Sequence, residues 1–546
     1  METDSRKHTI CDVMKNPYTI AVSCIYALGM MIGYSYYTTE SWNLLYDGTL
    51  IRSVLALLVF VALSLAFLAV IALGGWILSK NPRILHREAH GKLESLLFEK
   101  HSFLAPLIVL SLCTLPVVIL FFPGTVAPDA RGQLYSYFAP WEMNGHHPIG
   151  STLVMGGFVE LGRILFDSDS IGLFLFTGTQ TILQLLVQAY IVHYQKRLQS
   201  PFIIRWMTLA YFGVLPLFQI WGFTVIKDSI YYIAFALLVL SMLDYFRQER
   251  RGASAVFLTI AALMIVVFRK EGKYIVFVSL LLLFFVAKKH WQDFCIAAVA
   301  CVGALFLIEG VYMPMNGIKD GPVKEMLSLP LQQTGRYLWL HGEEITDEER
   351  EALEAVFVPE LPQVGYVKET SDCVKGFFED YPDGQALKNY FKVWYRQGLK
   401  HPATYLQATL NQTYGYFYPP RGDIRDEIGY FGFSFDTAMY MDRDNVSASF
   451  AIENGKGREA FKQYMEGAYR LPLLGGLYRA GTHTFLLLGM AAYLLSRRQY
   501  KKTLLFIPSL MILLVAIASP LNASIRYMLP IMMVLPIHLS ICTERK

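Results

Sequence analysis

Five short segments carry residues able to do chemistry, and each one borders an apolar stretch. In PGTVAPDARGQ (123–133), Pro123, Gly124 and Pro128 force a turn, and Asp129 follows it. A carboxylate aimed back at a membrane surface can act as a general base toward a hydroxyl; its plainer role is that of a helix N-terminal acid. FRKEGKY (268–274) gathers Arg269, Lys270 and Lys273 around Glu271. Such cations clamp phosphate oxygens, or else snorkel to the interface and pair with the glutamate. Arg526 and Tyr527 end SPLNASIRY (519–527); the arginine can cap the same phosphate site or pair with an acid elsewhere. His146 and His147 precede Pro148 in NGHHP (144–148). A His pair ligates metal or binds phosphate, and His147, next to the proline, is the stronger candidate. Lys227 and Asp228 in VIKDS (225–229) read as an ion pair at a helix start, functional or merely anchoring.

The elements that must position these residues are membrane helices. The chain has 546 residues, 54% hydrophobic and 17% charged, with a mean hydropathy of +0.37. Soluble proteins carry about a quarter charged residues. The apolar residues fall in blocks of the length that crosses a hydrocarbon core. Twelve blocks read as spans: 18–37, 52–78, 103–122, 171–192, 203–220, 228–243, 253–268, 273–287, 293–313, 483–496, 503–518 and 526–541. The expected fold is an all-α polytopic bundle. A net charge of +4 is too small to argue for nucleic acid. The first apolar block lacks a small-residue cleavage site and reads as an anchor, not a signal peptide.

Basic connectors at Lys80, Arg83, Arg87, Lys92 and Lys100, at Lys196 and Arg197, at Arg247, Arg250 and Arg251, at Lys288 and Lys289, and at 497–502 fit one cytoplasmic face. They do so only if 149–166, which holds Glu160 and Arg163, lies along the interface instead of crossing. Both termini are then cytoplasmic, and every chemically distinctive segment faces outward. The chain divides into an N-terminal pair with its basic loop (1–100), a core (101–313) with an outer loop at 123–170, an extracytoplasmic domain (314–482) and C-terminal helices (483–546). The outer domain holds 24 of the 44 acidic residues. Within it, 346–356 and 402–414 read as helices and 421–454 as loop or short strands. Of the seven cysteines only Cys373 falls there, so no disulfide forms inside it. LPLQQTGR (329–336) begins this domain; Gln333 and Arg336 are candidate substrate contacts, or part of an ordinary helix turn. Asn411, Asn445 and Asn522 are sequons that matter only in a eukaryotic secretory pathway.

The order of these motifs resembles the GT-C superfamily of membrane glycosyltransferases, which use polyprenyl-phosphate-linked sugar donors. The shared plan is an acid in the first long outer loop (Asp129), interfacial helices after it, a His-Pro step (His147 and Pro148) and a later outer acid (Asp228). Protein mannosyltransferases and the aminoarabinose transferases of lipid A are built this way. More narrowly, PGTVAPDARGQ, HHP, KDS, LPLQQTGR and SPLNASIRY look like an uncharacterised family of bacterial membrane proteins grouped with that superfamily. The resemblance covers about residues 103 to 541, with the first two spans as an added pair.

The resemblance implies a plasma-membrane enzyme that transfers sugar, with inversion, to a glycan, lipid or protein acceptor. Asp129 would be the catalytic base, and Asp228 a second acid that positions acceptor or metal. His147, Lys227, Arg269, Lys270, Lys273 and Arg526 would bind the donor phosphate, with Gln133, Gln333, Arg336 and Tyr527 as further substrate contacts. Protein mannosyltransferases have two adjacent acids in the first loop; here Ala130 follows Asp129. No cofactor is required by this reading, and a divalent metal stays open. The competing functions are a transporter or flippase of lipid-linked saccharides and a structural membrane protein. A transporter would more often show repeated halves and charges at the midplane.

Overall fold

The computed structural model describes residues 10–80, 91–249, 252–358, 360–362, 365–419, 446–448, 450–451 and 455–544. Arg83, Arg87, Arg250, Arg251, Asn445 and most of 421–454 lie outside the described residues. Among the described residues, eight helices are long and apolar enough to cross a membrane. Two more pairs pass as spans bent by 104° and 54°, and three shorter apolar helices have 10–17 residues. Each of the twelve expected blocks falls on one of these helices. The chain is an all-α multi-pass membrane protein.

The chain opens with α1 (Pro17–Thr39), α2 (Leu50–Lys80) and α3 (Leu104–Leu120). Next come β1 (Thr125–Val126), α4 (Pro128–Phe138), β2 (Asn144–Gly145), α5 (Ile149–Phe166) and α6 (Asp169–Arg197). Then follow α7 (Phe202–Val214), α8 (Pro216–Gly222), β3 (Thr224–Val225), α9 (Lys227–Phe246), α10 (Gly252–Phe268), α11 (Gly272–Val286) and α12 (Trp291–Leu305). After β4 (Lys319–Asp320) come α13 (Ser328–His341), α14 (Pro402–Thr413), α15 (Gly455–Arg470), α16 (Ala480–Ser496), α17 (Ile507–Ile517) and α18 (Ile525–Thr543).

The medium is legible in the burial. The apolar window of α2 is only 11% buried by protein, and Leu57, Leu58 and Leu65 are exposed on its surface. A helix so apolar with so little protein cover is stable only against lipid. At the other extreme, α9 is 89% buried and forms the axis of the bundle. It packs against α6, α10 and α18.

Polar contacts fix which helix ends share a face. Thr177 of α6 donates to the Pro123 carbonyl at 2.8 Å, and the Gln180 amide donates to the Gly222 and Thr224 carbonyls at 2.9 and 2.8 Å. The end of α3, the start of α6, the end of α8 and the start of α9 therefore lie together. At the opposite end, the Tyr194 hydroxyl donates to Asp244 at 2.7 Å and Gln195 donates to Ser540 at 3.0 Å. So α6, α9 and α18 run side by side in the same direction, away from the face where 123–129 sits.

This arrangement bears on how α5 lies. By length and composition it is one of the eight candidate spans. Its first turn packs on Val267 and Ile308, and its last turns cross α6 where Gly162 meets Gly172. The helix before it ends on the same face on which the helix after it begins. Both ends of α5 thus touch helix ends near the face where 123–129 sits, while by length and composition α5 stays a candidate span. The Tyr137 hydroxyl donates to Glu160, and Arg163 sits 4.0 Å over the Phe138 ring while pairing with Asp169. These contacts clamp the polar side of α5 to α4.

The described residues of 314–482 contribute to two hydrophobic clusters. Leu331, Leu338, Phe357, Val374, Tyr390 and Val393 build a core of their own. Thr346 and Glu349 form a reciprocal capping box on the helix Asp347–Glu354, the expected helix at 346–356. Phe450, Met465, Ala468 and Tyr469 join the core of the helical bundle, and Arg458 donates to the Leu120 carbonyl at 3.3 Å.

Gly124 sits at φ +130°, and a Cβ there would come 2.5 Å from Thr177 Cγ2 and 3.2 Å from the Phe223 carbonyl. Gly124→Val should therefore cost about 1–3 kcal/mol of stability, read as a lowered midpoint of thermal unfolding in detergent.

Candidate active site

The site is built on two short strands. β1 and β3 pair in parallel, with Thr125 opposite Thr224 and Val126 opposite Val225. The two threonine hydroxyls share a hydrogen bond of 2.8 Å, and the Ala127 N–H donates to the Val225 carbonyl at 3.3 Å. Each strand leads directly into a helix whose second residue is an aspartate: Asp129 on α4 and Asp228 on α9. The local sequences match as well, TVAPD at 125–129 and TVIKD at 224–228. Two positive helix ends thus face two carboxylates across one strand pair. Pro128 fits the first position of α4 because the N–H it lacks would have no partner there.

Arg526, in the first turn of α18, joins the two acids. Its Nη2 lies 2.5 Å from Asp129 Oδ2 and 2.7 Å from Asp228 Oδ2, while its Nε donates to Asp228 at 2.9 Å. Arg269 takes the other oxygen of Asp228 at 2.9 Å and also pairs with Glu271 at 2.7 Å. Its guanidinium lies between the rings of Tyr231 and Tyr527, at 5.5 and 5.6 Å from their centroids. Lys227 donates to Asp129 at 2.8 Å and lies 3.2 Å from His147 Nδ1. Three cations therefore share two carboxylates.

Burial alone would raise the pKa of Asp129, yet Lys227 and Arg526 together hold its carboxyl well below the usual carboxylate range. Burial and the neighbouring ammonium of Lys227 push His147 down to about 2, so its ring is neutral at physiological pH. His146 is lowered too, by burial first, and lies 3.5 Å from Glu325.

A cavity of about 1130 Å³ opens beside this cluster. Asp129, His147, Lys227, Arg269, Lys270, Lys273, Arg526 and Tyr527 all line it. Its walls are apolar where α10 and the end of the α12 span reach it, through Val266, Val267, Leu305 and Ile308. The Lys270 ammonium donates to the Gly145 carbonyl, and β2 pairs with β4. These contacts pin the His146–His147 turn against the segment that carries β4.

The structure departs from the expected residue set at several points. Asp228 does not line the cavity; with a side chain 4% exposed and both oxygens held by arginines, it positions those arginines. Gln133 donates to Ser151 and Thr152 at 2.8 Å each and borders an adjoining smaller cavity. Gln333 and Arg336 are not brought to the site. Gln333 bonds Thr409 and Trp394, and Arg336 bonds Tyr366 and Gln407 inside the outer segment. Conversely Lys324, Glu325, Asp372 and Lys375 line the cavity from the outer segment, with Lys375 held by Glu325 at 3.1 Å. Sequence reasoning missed them because ordinary charged residues fill that segment. The paired TVxxD sequences were a visible signal for the strand pair.

Removing Arg526 would leave Asp228 buried with one partner fewer. Arg526→Ala should cost about 3–5 kcal/mol, measured as loss of folded protein on thermal challenge. The pH dependence has a definite sign. An unfolded histidine takes up a proton below about pH 6.5, whereas folded His147 does not. The unfolded chain then binds more protons, so stability falls as pH drops below that value. His147→Asn should flatten that fall, seen in unfolding midpoints between pH 7 and 5.

No curated protein and no solved structure matches this sequence. The family model that matches is described as a family of unknown function (DUF6020), and it covers residues 136–546. That span takes in His147, Lys227, Asp228, Arg269 and Arg526 and begins just after Asp129. Covering most of the sequence, the match makes this chain a member of the DUF6020 family.

Proposed function

We propose that this protein is a membrane glycosyltransferase that moves a sugar from a polyprenyl-phosphate-linked donor to an acceptor hydroxyl. One observation carries the reading: a carboxylate and a ring of cations meet apolar walls inside one cavity at the ends of membrane helices. An acid alone would fit many enzymes, and a cationic patch alone would fit lipid binding. Their meeting beside an apolar wall suits a phosphate with a hydrocarbon tail. An interfacial α5 and two helix-borne acids are in keeping with a GT-C plan of twelve crossings. The basic connectors gather at the opposite ends of the helices, including Arg197 and Arg247. By the positive-inside rule the cavity would face away from the cytoplasm of a plasma membrane, with both termini inside.

The chemistry follows from the shared cations. With Lys227 and Arg526 on its oxygen, Asp129 is ionised but a weak proton acceptor. An entering phosphate competes for both cations and brings negative charge, which raises the affinity of Asp129 for a proton. The acceptor hydroxyl then gives its proton to Asp129 as its oxygen bonds to the anomeric carbon. The bond from that carbon to the phosphate oxygen breaks, and the electron pair leaves with the polyprenyl phosphate. The charge on the leaving group falls among Lys227, Lys270 and Arg526. Asp228 keeps Arg269 and Arg526 in place throughout. Its oxygens carry guanidinium groups, so a metal at this pair would have to displace an arginine.

Asp129→Asn keeps the volume and removes the base, so transfer should fall by about 10²–10⁴-fold with the protein still folded. Lys273→Gln should raise the donor KM more than it lowers kcat, since Lys273 neither supports the buried Asp228 nor carries the leaving-group charge. The assay is sugar release from a panel of polyprenyl-phosphate sugars in liposomes. Unchanged activity in Asp129→Asn would remove Asp129 from the mechanism. Turnover of no donor, with a labelled lipid-linked saccharide crossing between leaflets, would replace the transferase by a flippase.

A further inference from the structure

Away from the cavity, the outer segment brings two histidines and a glutamate to one point. His341 ends α13, Glu344 lies in the turn after it, and His401 caps the start of α14. His341 Nδ1 is 3.0 Å from Glu344 Oε1, and His401 Nε2 is 3.0 Å from Glu344 Oε2. One ligand atom from each residue lies within 4.8 Å of the other two. We propose that His341, Glu344 and His401 bind one divalent transition-metal ion of the zinc type, fastening the end of α13 to the start of α14.

The donor set is two imidazole nitrogens and a carboxylate, which suits zinc and leaves a fourth position for water. Both rings are held from outside the cluster. His341 Nε2 lies 3.0 Å from Thr404 Oγ1. When Nε2 carries the proton and donates it to that oxygen, the lone pair is on Nδ1, the atom that faces Glu344. Tyr337 packs against both histidines, and the two imidazoles stack at 3.8 Å. Ligands on a tetrahedral zinc sit roughly 3.3 Å apart, given bonds of about 2.0–2.1 Å. Closing the present spacing needs a rotation of the rings and of Glu344, whose side chain is 44% exposed. Lys400, now 2.9 Å from Glu344 Oε2, is the competing cation; its side chain is 49% exposed and can swing into solvent.

None of these residues lines the cavity, so the site stands or falls separately from the transferase reading. The test uses the full chain purified in detergent and stripped with a chelator. Titration with zinc chloride should show one equivalent bound with micromolar or tighter affinity and a raised unfolding midpoint. Cobalt should give the visible absorption of a tetrahedral ion. His401→Ala, and separately Glu344→Gln at its exposed position, should each weaken zinc binding by about tenfold or more. An absence of zinc binding in the parent, or a zinc affinity unchanged from the parent in a folded Glu344→Gln and a folded His401→Ala, would overturn the proposal.

Discussion

Asp129 and Asp228 both reach the same nitrogen of Arg526, at 2.5 and 2.7 Å. Two carboxylates that close would repel each other without a cation between them. The shared guanidinium removes that repulsion and ties three helices, α4, α9 and α18, at one point. The strand pair beneath sets the spacing. Each two-residue strand is too short to be stable alone, and the Gln180 amide and the Thr177 hydroxyl hold both strands from the side. The rest of the site follows from this knot. Lys227 is placed by Asp129, Arg269 by Asp228, and His147 by Lys227.

The helical bundle was largely readable from sequence because lipid imposes one strong rule: a spanning segment must be apolar and must satisfy its own backbone. That rule marks all twelve blocks. Glu160 and Arg163 argue in sequence for α5 as an interfacial helix, while its length and composition permit a crossing. The acidic segment 314–482 obeys no such rule. The amphipathic helix α15 lies within it, and its Met465 and Tyr469 join the large hydrophobic core of the bundle, which composition alone does not reveal.

The site was readable in part, for a similar reason. Asp129, His147, Lys227, Arg269, Lys270, Lys273, Arg526 and Tyr527 stood out as charged, histidine or aromatic residues beside apolar spans, and all of them line one cavity. Asp228 stood out equally, but a sequence does not say whether a carboxylate faces substrate or two arginines. Gln333 and Arg336 lie on α13 at a spacing that serves internal bonds to α14 and its surroundings. Glutamine and arginine look alike in sequence in either role.

The sequence separation within the knot sets a schedule for making the protein. Arg526 lies 298 residues after Asp228 and 397 after Asp129. During synthesis α9 is made with Asp228 at its head long before α18 brings Arg526 to it. Until then Arg269, between α10 and α11, is the arginine that reaches that carboxylate. The contact between the two acids and Arg526 thus forms only once α18 has been made, and a polypeptide that stops before α18 carries every residue of the first loop without that contact.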